Sequence, residues 1–577
     1  MSDKGVDAEL SALLHEHAAA LRDPAVVMAP ERLGAARLTR YSFSRSVLRR
    51  AHSHGWETSA VRMDLDADGQ GEVAYRIEAE GHVFHFVAFL QSLPESAHTD
   101  RVIADRWEVA AALHEGDLTE SVWAHLRANV PEQERGRLGP DVLTLTRGNR
   151  SVRFFEHLVD ELAHGRQPDP AQVGDAGYIM RSTAFYGNGK FGMRSFHGYP
   201  QDHPLAAPYR AQFLAAWCYR ELSYDAVEHC ARLRGGDDAV PFGEGWRTFF
   251  GLGNATGLGL VPYAFKHPKV INAWLAVREL ALVRVRALDG SPERVDRFRS
   301  WIRWAEAHYK TGTDADATPF LSPAELVPVV QKIHTAFEAV AHERFPFDAL
   351  MQWAMNQHVE TAEMVVSLLL ELDDWDDETV DRLLAVDEGG ALELSMTISE
   401  TRRLIEERFG WTLSSVAGRP ESASKWWVYS DNTEEPRRVD RGALSIGNHD
   451  MGIDVATRMS ALYRELAAWP DTSVLGEVAA TQSEHLHAIE RLFASDQPYG
   501  EPRDNACSDD YLPLQIQRMQ LAQYGMDNWK PKSTDWLRVT LFQGAPRFGD
   551  IGPGAEEFVD DWVLPPLPDT ADATVRP

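Results

Sequence analysis

Apolar residues recur at helical spacing through most of this chain, and at strand spacing only near its start. Val73, Tyr75 and Ile77 alternate with polar neighbours, and the Glu80–Gly81 pair after them is a turn signal. Together with the VFHFVAFLQ and VAAALHE runs that follow, this predicts an antiparallel sheet of three or four strands. Flanking helices are expected from Ala8 to Leu21 and from Ser44 to His54.

Beyond that region the periodicity is helical. PKVINAWLAVRELALVRVRAL, SPERVDRFRSWIRWAEAHY, SPAELVPVVQKIHTAFEAVAHERF and FPFDALMQWAMNQHVETAEMVVSLLLEL repeat apolar residues three and four apart, several of them opened by Ser or Pro. Further helices are expected near 397–408, 452–468, 475–494 and 510–524. The pattern therefore predicts a mainly α protein. A small α+β domain with an antiparallel sheet would span 1–115, a large helical domain 116–564, and a disordered Pro-rich tail 565–577.

One helix breaks its own pattern. In AWCYRELSYDAVEHCAR (216–232), Trp217, Leu222, Ala226, Val227 and Cys230 spread round most of the circumference, as on a buried helix. Yet Glu221, Asp225, Glu228 and His229 of the same stretch share an arc of roughly 100°. Charge on a buried helix must be paired, bound to metal or used in chemistry. Either the stripe faces an internal polar cavity, with Glu221, Asp225 or His229 moving protons, or Arg220, Arg232 or Arg234 neutralises it.

Polar, glycine-containing segments interrupt the helices at 181–196, 249–263, 426–438 and 447–452. The first offers Arg181, Ser182, Asn188, Lys190 and Arg194 as a clamp for an anion, with Tyr186 as an acid. In the second, Asn254 and Thr256 lie in a glycine-rich turn whose amides suit a carboxylate.

Charge and composition narrow the partners. A formal net charge of −29 weighs against nucleic acid and anionic membranes. No apolar run reaches the roughly 18 residues a membrane span needs, and the charged N-terminal stretch does not look like a signal peptide. The expected location is the cytoplasm, and a homo-oligomer is compatible with the composition. Three cysteines form no CxxC pair, and no GxSxG, HExxH or P-loop pattern occurs. DLDADGQGEVAY (64–75) imitates a calcium loop but ends on Tyr75 where the bidentate Glu belongs. The triplets His157, Glu161, His164 and His334, Glu338, His342 carry ligand-type residues, but on faces opposite their apolar neighbours.

The leading expectation is an enzyme acting on a small anionic molecule, most simply a carboxylate. Its chemistry would be metal-independent acid–base catalysis of lyase or isomerase type, with no cofactor. In the alternative, Glu221, Asp225, His229, Glu338 and His342 bind iron or another divalent metal for oxygenase or hydrolase chemistry. A third reading is a non-catalytic scaffold whose acidic stripe is fully neutralised.

Overall fold

The computed structural model describes residues 6–93, 107–133, 137–151, 154–173, 177–187, 199–200, 202–254, 268–311, 321–386, 392–415, 427–428, 437–438, 452–494, 499, 513–526, 529–533, 536–552, 560 and 562–568. Its strands are β1 (Glu57–Leu65), β2 (Gly71–Ala79), β3 (His82–Leu90), β4 (Val109–Glu115), β5 (Val142–Arg150), β6 (Tyr178–Gly187), β7 (Gly251–Asn254), β8 (Trp427–Val428), β9 (Arg437–Arg438), β10 (Trp529–Ser533) and β11 (Trp536–Leu541). Strands β8 and β9 pair only with each other. The other nine form one mixed sheet in the order β1-β2-β3-β4-β5-β6-β7-β11-β10. Every neighbouring pair is antiparallel except β6 and β7, which run parallel.

This overturns the mainly α expectation: a large mixed sheet stands beside the helices, and the expected antiparallel strands are one part of it. The first four strands lie where the alternation placed them, but the sheet continues through β5, β6, β7, β10 and β11, all beyond residue 115. It curls into a half-barrel. Short strands such as GLGN, and strands interrupted by glycine or proline such as VLTLTRGNR and WKPKS, carry little period-two signal. The segment from 181, expected to be irregular, is strand β6 as far as Gly187.

Both faces of the sheet's centre are covered, which explains why β3 reads HVFHFVAFL, nearly continuous in apolar residues. Phe84, Phe86 and Ala88 enter the main core, while Val87 and Phe89 join Trp123, Leu126 and Leu145 beneath the helix Glu120–Asn129. The main core holds the central helix, Arg210–Gly235, buried almost throughout from Arg210 to Ala231. Gly148 on β5 lets that helix approach. A Cβ there would stand 2.2 Å from the Arg181 carbonyl oxygen and 2.5 Å from the Tyr219 hydroxyl. Gly148→Ala is expected to destabilise the fold by about 1–3 kcal/mol through overpacking, read as a lowered thermal midpoint.

Helices from the two expected domains are joined by a buried ionic seam. The arginine-rich segment after residue 20 pairs with the acids on and after the helix Val359–Leu370: Arg22 and Arg32 with Glu363, Arg37 with Glu360, and Arg45 with Glu371. Arg45 and Arg49 also hold Asp560 near the other end of the chain. The boundary at residue 115 therefore separates no independent core. A separate apolar cluster does form from Ile398, Ile405, Phe409, Met459, Leu462, Leu475 and Ile489, on helices between 398 and 494. Part of the expected disordered tail is packed: Pro568 is buried, and Leu567 packs on the main core.

Candidate active site

The acidic stripe of the central helix faces edge strand β1 and the segment after β11. Arg220 at its base is fully buried, and all its N–H groups are engaged. Nε donates to the Phe250 carbonyl at 2.8 Å, and Nη2 to Thr248 at 2.7 Å and Ala545 at 2.6 Å. Nη1 meets Glu221 Oε1 at 3.2 Å and the Pro546 carbonyl at 3.3 Å. This guanidinium therefore staples two irregular segments, 248–250 and 545–546, to the helix.

The stapled segment carries Arg547 across the stripe. Its Nε donates to Glu221 Oε2 at 2.6 Å and its Nη2 to Asp225 Oδ1 at 2.9 Å. Its guanidinium carbon lies 4.3 Å from the centre of the Tyr224 ring. From β2, the Tyr75 hydroxyl donates to the other Asp225 oxygen at 2.7 Å. Glu221 is enclosed, with a side chain only 2% exposed, whereas that of Asp225 is 27% exposed. Glu228 is half-buried and accepts the Phe242 amide at 3.1 Å.

Burial pushes the Glu221 and Asp225 carboxyls above their ordinary range, and Arg547 only partly offsets it. Burial, then the adjacent Asp225, raises the Tyr75 phenol far above its usual value. Asp225 thus accepts the Tyr75 hydroxyl on one oxygen and a fixed positive charge on the other. Asp225, Glu228, Tyr75, Arg247 and Arg547 line an open cleft of about 470 Å³, walled by Thr58, Ser59 and Ala60 of β1 and by Phe242 and Phe548. Arg247 is held by both oxygens of Asp550 at 2.9 Å.

The expected site residues divide in three. Glu221 and Asp225 come together as the stripe predicted, but their main partner is Arg547 rather than Arg232 or Arg234. His229 turns away, donating from Nε2 to the Leu65 carbonyl at 3.0 Å, and is not among the residues lining the cleft. Arg181 and Ser182 on β6 do meet Gly253 and Asn254 on β7, as neighbours in the sheet, but they do not line the cleft either. Asn188, Lys190, Arg194 and Thr256 lie outside the described residues, as do the side chains of Tyr186 and Asn254.

The alternative metal set does not assemble. Glu338 is gripped by Arg299 at 2.7 and 2.8 Å, and among the described residues no metal-compatible grouping includes Glu221, Asp225, His229, Glu338 or His342. Tyr75, Arg247 and Arg547 were missed by sequence reasoning. Arg547 lies 326 residues from Glu221, and no spacing signal reaches that far. For Tyr75 the alternation did mark a buried face, but not what that face meets.

Among the described residues no helix is long and apolar enough to cross a membrane. Set beside family models, curated proteins and solved structures, the chain matches none.

Proposed function

We propose that this chain is an enzyme that moves a proton on a small polar organic molecule held in the cleft, with Asp225 as the acid–base group. The observation that carries this reading is that Asp225 is largely buried, with a raised pKa, yet open to a cleft large enough for a small molecule. Tyr75 orients the carboxyl through Oδ2, and Arg547 stabilises its ionised form through Oδ1. Glu221, wedged between Arg220 and Arg547, positions Arg547 rather than reacting.

The charge of the cleft bears on the substrate. Among the described residues lining the cleft, Glu221, Asp225 and Glu228 face two guanidiniums, Arg247 and Arg547, and both already hold carboxylates. A ligand bearing a basic nitrogen opposite Glu228 fits this balance better than the anion expected from the sequence. Lyase or isomerase chemistry remains the simplest use of one acid–base group without a cofactor.

A panel of small amines, amino acids and carboxylates tested by thermal shift, with binders then incubated in D2O and followed by NMR, checks both parts. Amine-bearing binders that exchange a carbon-bound proton, at a rate lowered about 10²–10⁴-fold in Asp225→Asn, are the expected result. Binding confined to carboxylates would overturn the substrate class. Exchange that is unchanged in Asp225→Asn would overturn the mechanism.

The enclosed Glu221 favours a second reading, in which the Arg220–Glu221–Arg547 chain is only a clamp. It predicts that Asp225→Asn alters stability and that no panel member binds.

A further inference from the structure

A second cluster stands apart from the cleft. His82 opens β3, Glu115 closes β4, and the register of the two strands, Phe84 opposite Glu115, brings both to the same end of the sheet. His203, just before the central helix, comes down on them. His82 Nδ1 lies 2.8 Å and His203 Nε2 3.2 Å from the same Glu115 oxygen, and the three ligand atoms all fall within 4.8 Å of one another. The rings are held by packing: Tyr199 stacks on His203 at 4.3 Å between centroids, and His82 meets His203 edge-on at 4.5 Å. The His203 side chain is 4% exposed, while His82 at 36% and Glu115 at 30% leave the cluster open to solvent.

We propose that His82, Glu115 and His203 bind a divalent transition metal ion, zinc or ferrous iron, leaving at least one coordination position for water or a ligand. Two imidazoles and a carboxylate are the donor set that suits these borderline ions, and three protein ligands are the pattern of an open rather than a closed site. The ligand atoms already crowd the point where the ion would sit, so binding needs adjustment of the side chains rather than of the sheet. No such arrangement was visible in the chain, where the three residues stand 33 and 88 positions apart.

One contact limits the affinity. Nδ1 of His203 accepts the Leu205 amide at 3.0 Å, so the neutral ring carries its proton on Nε2, facing Glu115. An ion at Nε2 must drive that proton to Nδ1 and release the amide, a loss worth about tenfold in affinity. A micromolar rather than a nanomolar site is therefore expected.

Calorimetric titration of the full-length chain with zinc chloride at neutral pH tests this, with cobalt(II) absorption as a second readout of low-coordinate geometry. One equivalent bound more tightly than about 100 µM, weakened at least about tenfold by His82→Ala and by Glu115→Gln and unaltered by Glu338→Gln, is the expected result. His82 is exposed enough that its alanine variant should fold, which circular dichroism checks. Weaker binding by the wild type, or affinity undiminished in His82→Ala, overturns the site.

Discussion

Arg220→Met should lower the unfolding free energy by about 3–5 kcal/mol, the range for removing one partner from a buried charge pair. Methionine fills much of the arginine stem's volume, so the loss is electrostatic rather than a cavity. The carbonyls of Thr248, Phe250 and Ala545 would each lose a hydrogen bond, and Glu221 would keep only Arg547 as a charged partner. Arg547 sits on the segment that Arg220 pins, so the same variant should also lose ligand binding in the cleft. Urea unfolding reads the first effect and the thermal-shift panel the second. A stability change below about 1 kcal/mol, the size of an ordinary surface pair, would mean that packing alone holds the 545–550 segment.

Glu363→Leu should have an effect of similar size, for the opposite reason. Glu363 is fully buried among Arg22 at 2.7 Å, Arg32 at 2.9 Å and Arg278 at 3.7 Å, so its loss strands guanidiniums rather than a carboxylate. Burial opposes its ionisation, but Arg22 and Arg278 win and hold the carboxyl down to about 2, against an ordinary 4.5. A depressed carboxylate stabilises the fold fully above its unfolded pKa and loses that contribution as pH falls through its folded one. The contribution, about 3 kcal/mol, should vanish between pH 4.5 and 2. Unfolding midpoints at pH 7 and pH 3 test this. Glu363→Leu should be less stable than wild type at pH 7, with a smaller further loss at pH 3. Equal acid sensitivity in the two proteins would show that the seam's stability lies elsewhere.

The legible parts of this protein are those with local causes. The helix through Glu221 was readable as buried because apolar residues surround it on nearly all sides, and its carboxylates were therefore marked as needing partners. The first four strands were readable where Val73, Tyr75 and Ile77 alternate and turns separate them. The rest of the sheet was not. Residues 251–254 read GLGN, and nothing local distinguishes four such residues in a strand from four in a turn. His229 was misplaced because a helical wheel gives an angle, not a neighbour; the Leu65 carbonyl takes it out of the cleft.

The sequence by itself therefore determined which elements would be buried and that charge inside them had to be compensated, because periodicity and desolvation act along a single element. Tertiary structure alone decided which partner does the compensating. Arg547 against Asp225, Arg22 against Glu363, and Glu115 between His82 and His203 are matches made across tens to hundreds of residues. A charge–charge contact depends on distances of a few ångströms in space, and separation along the chain carries no record of them.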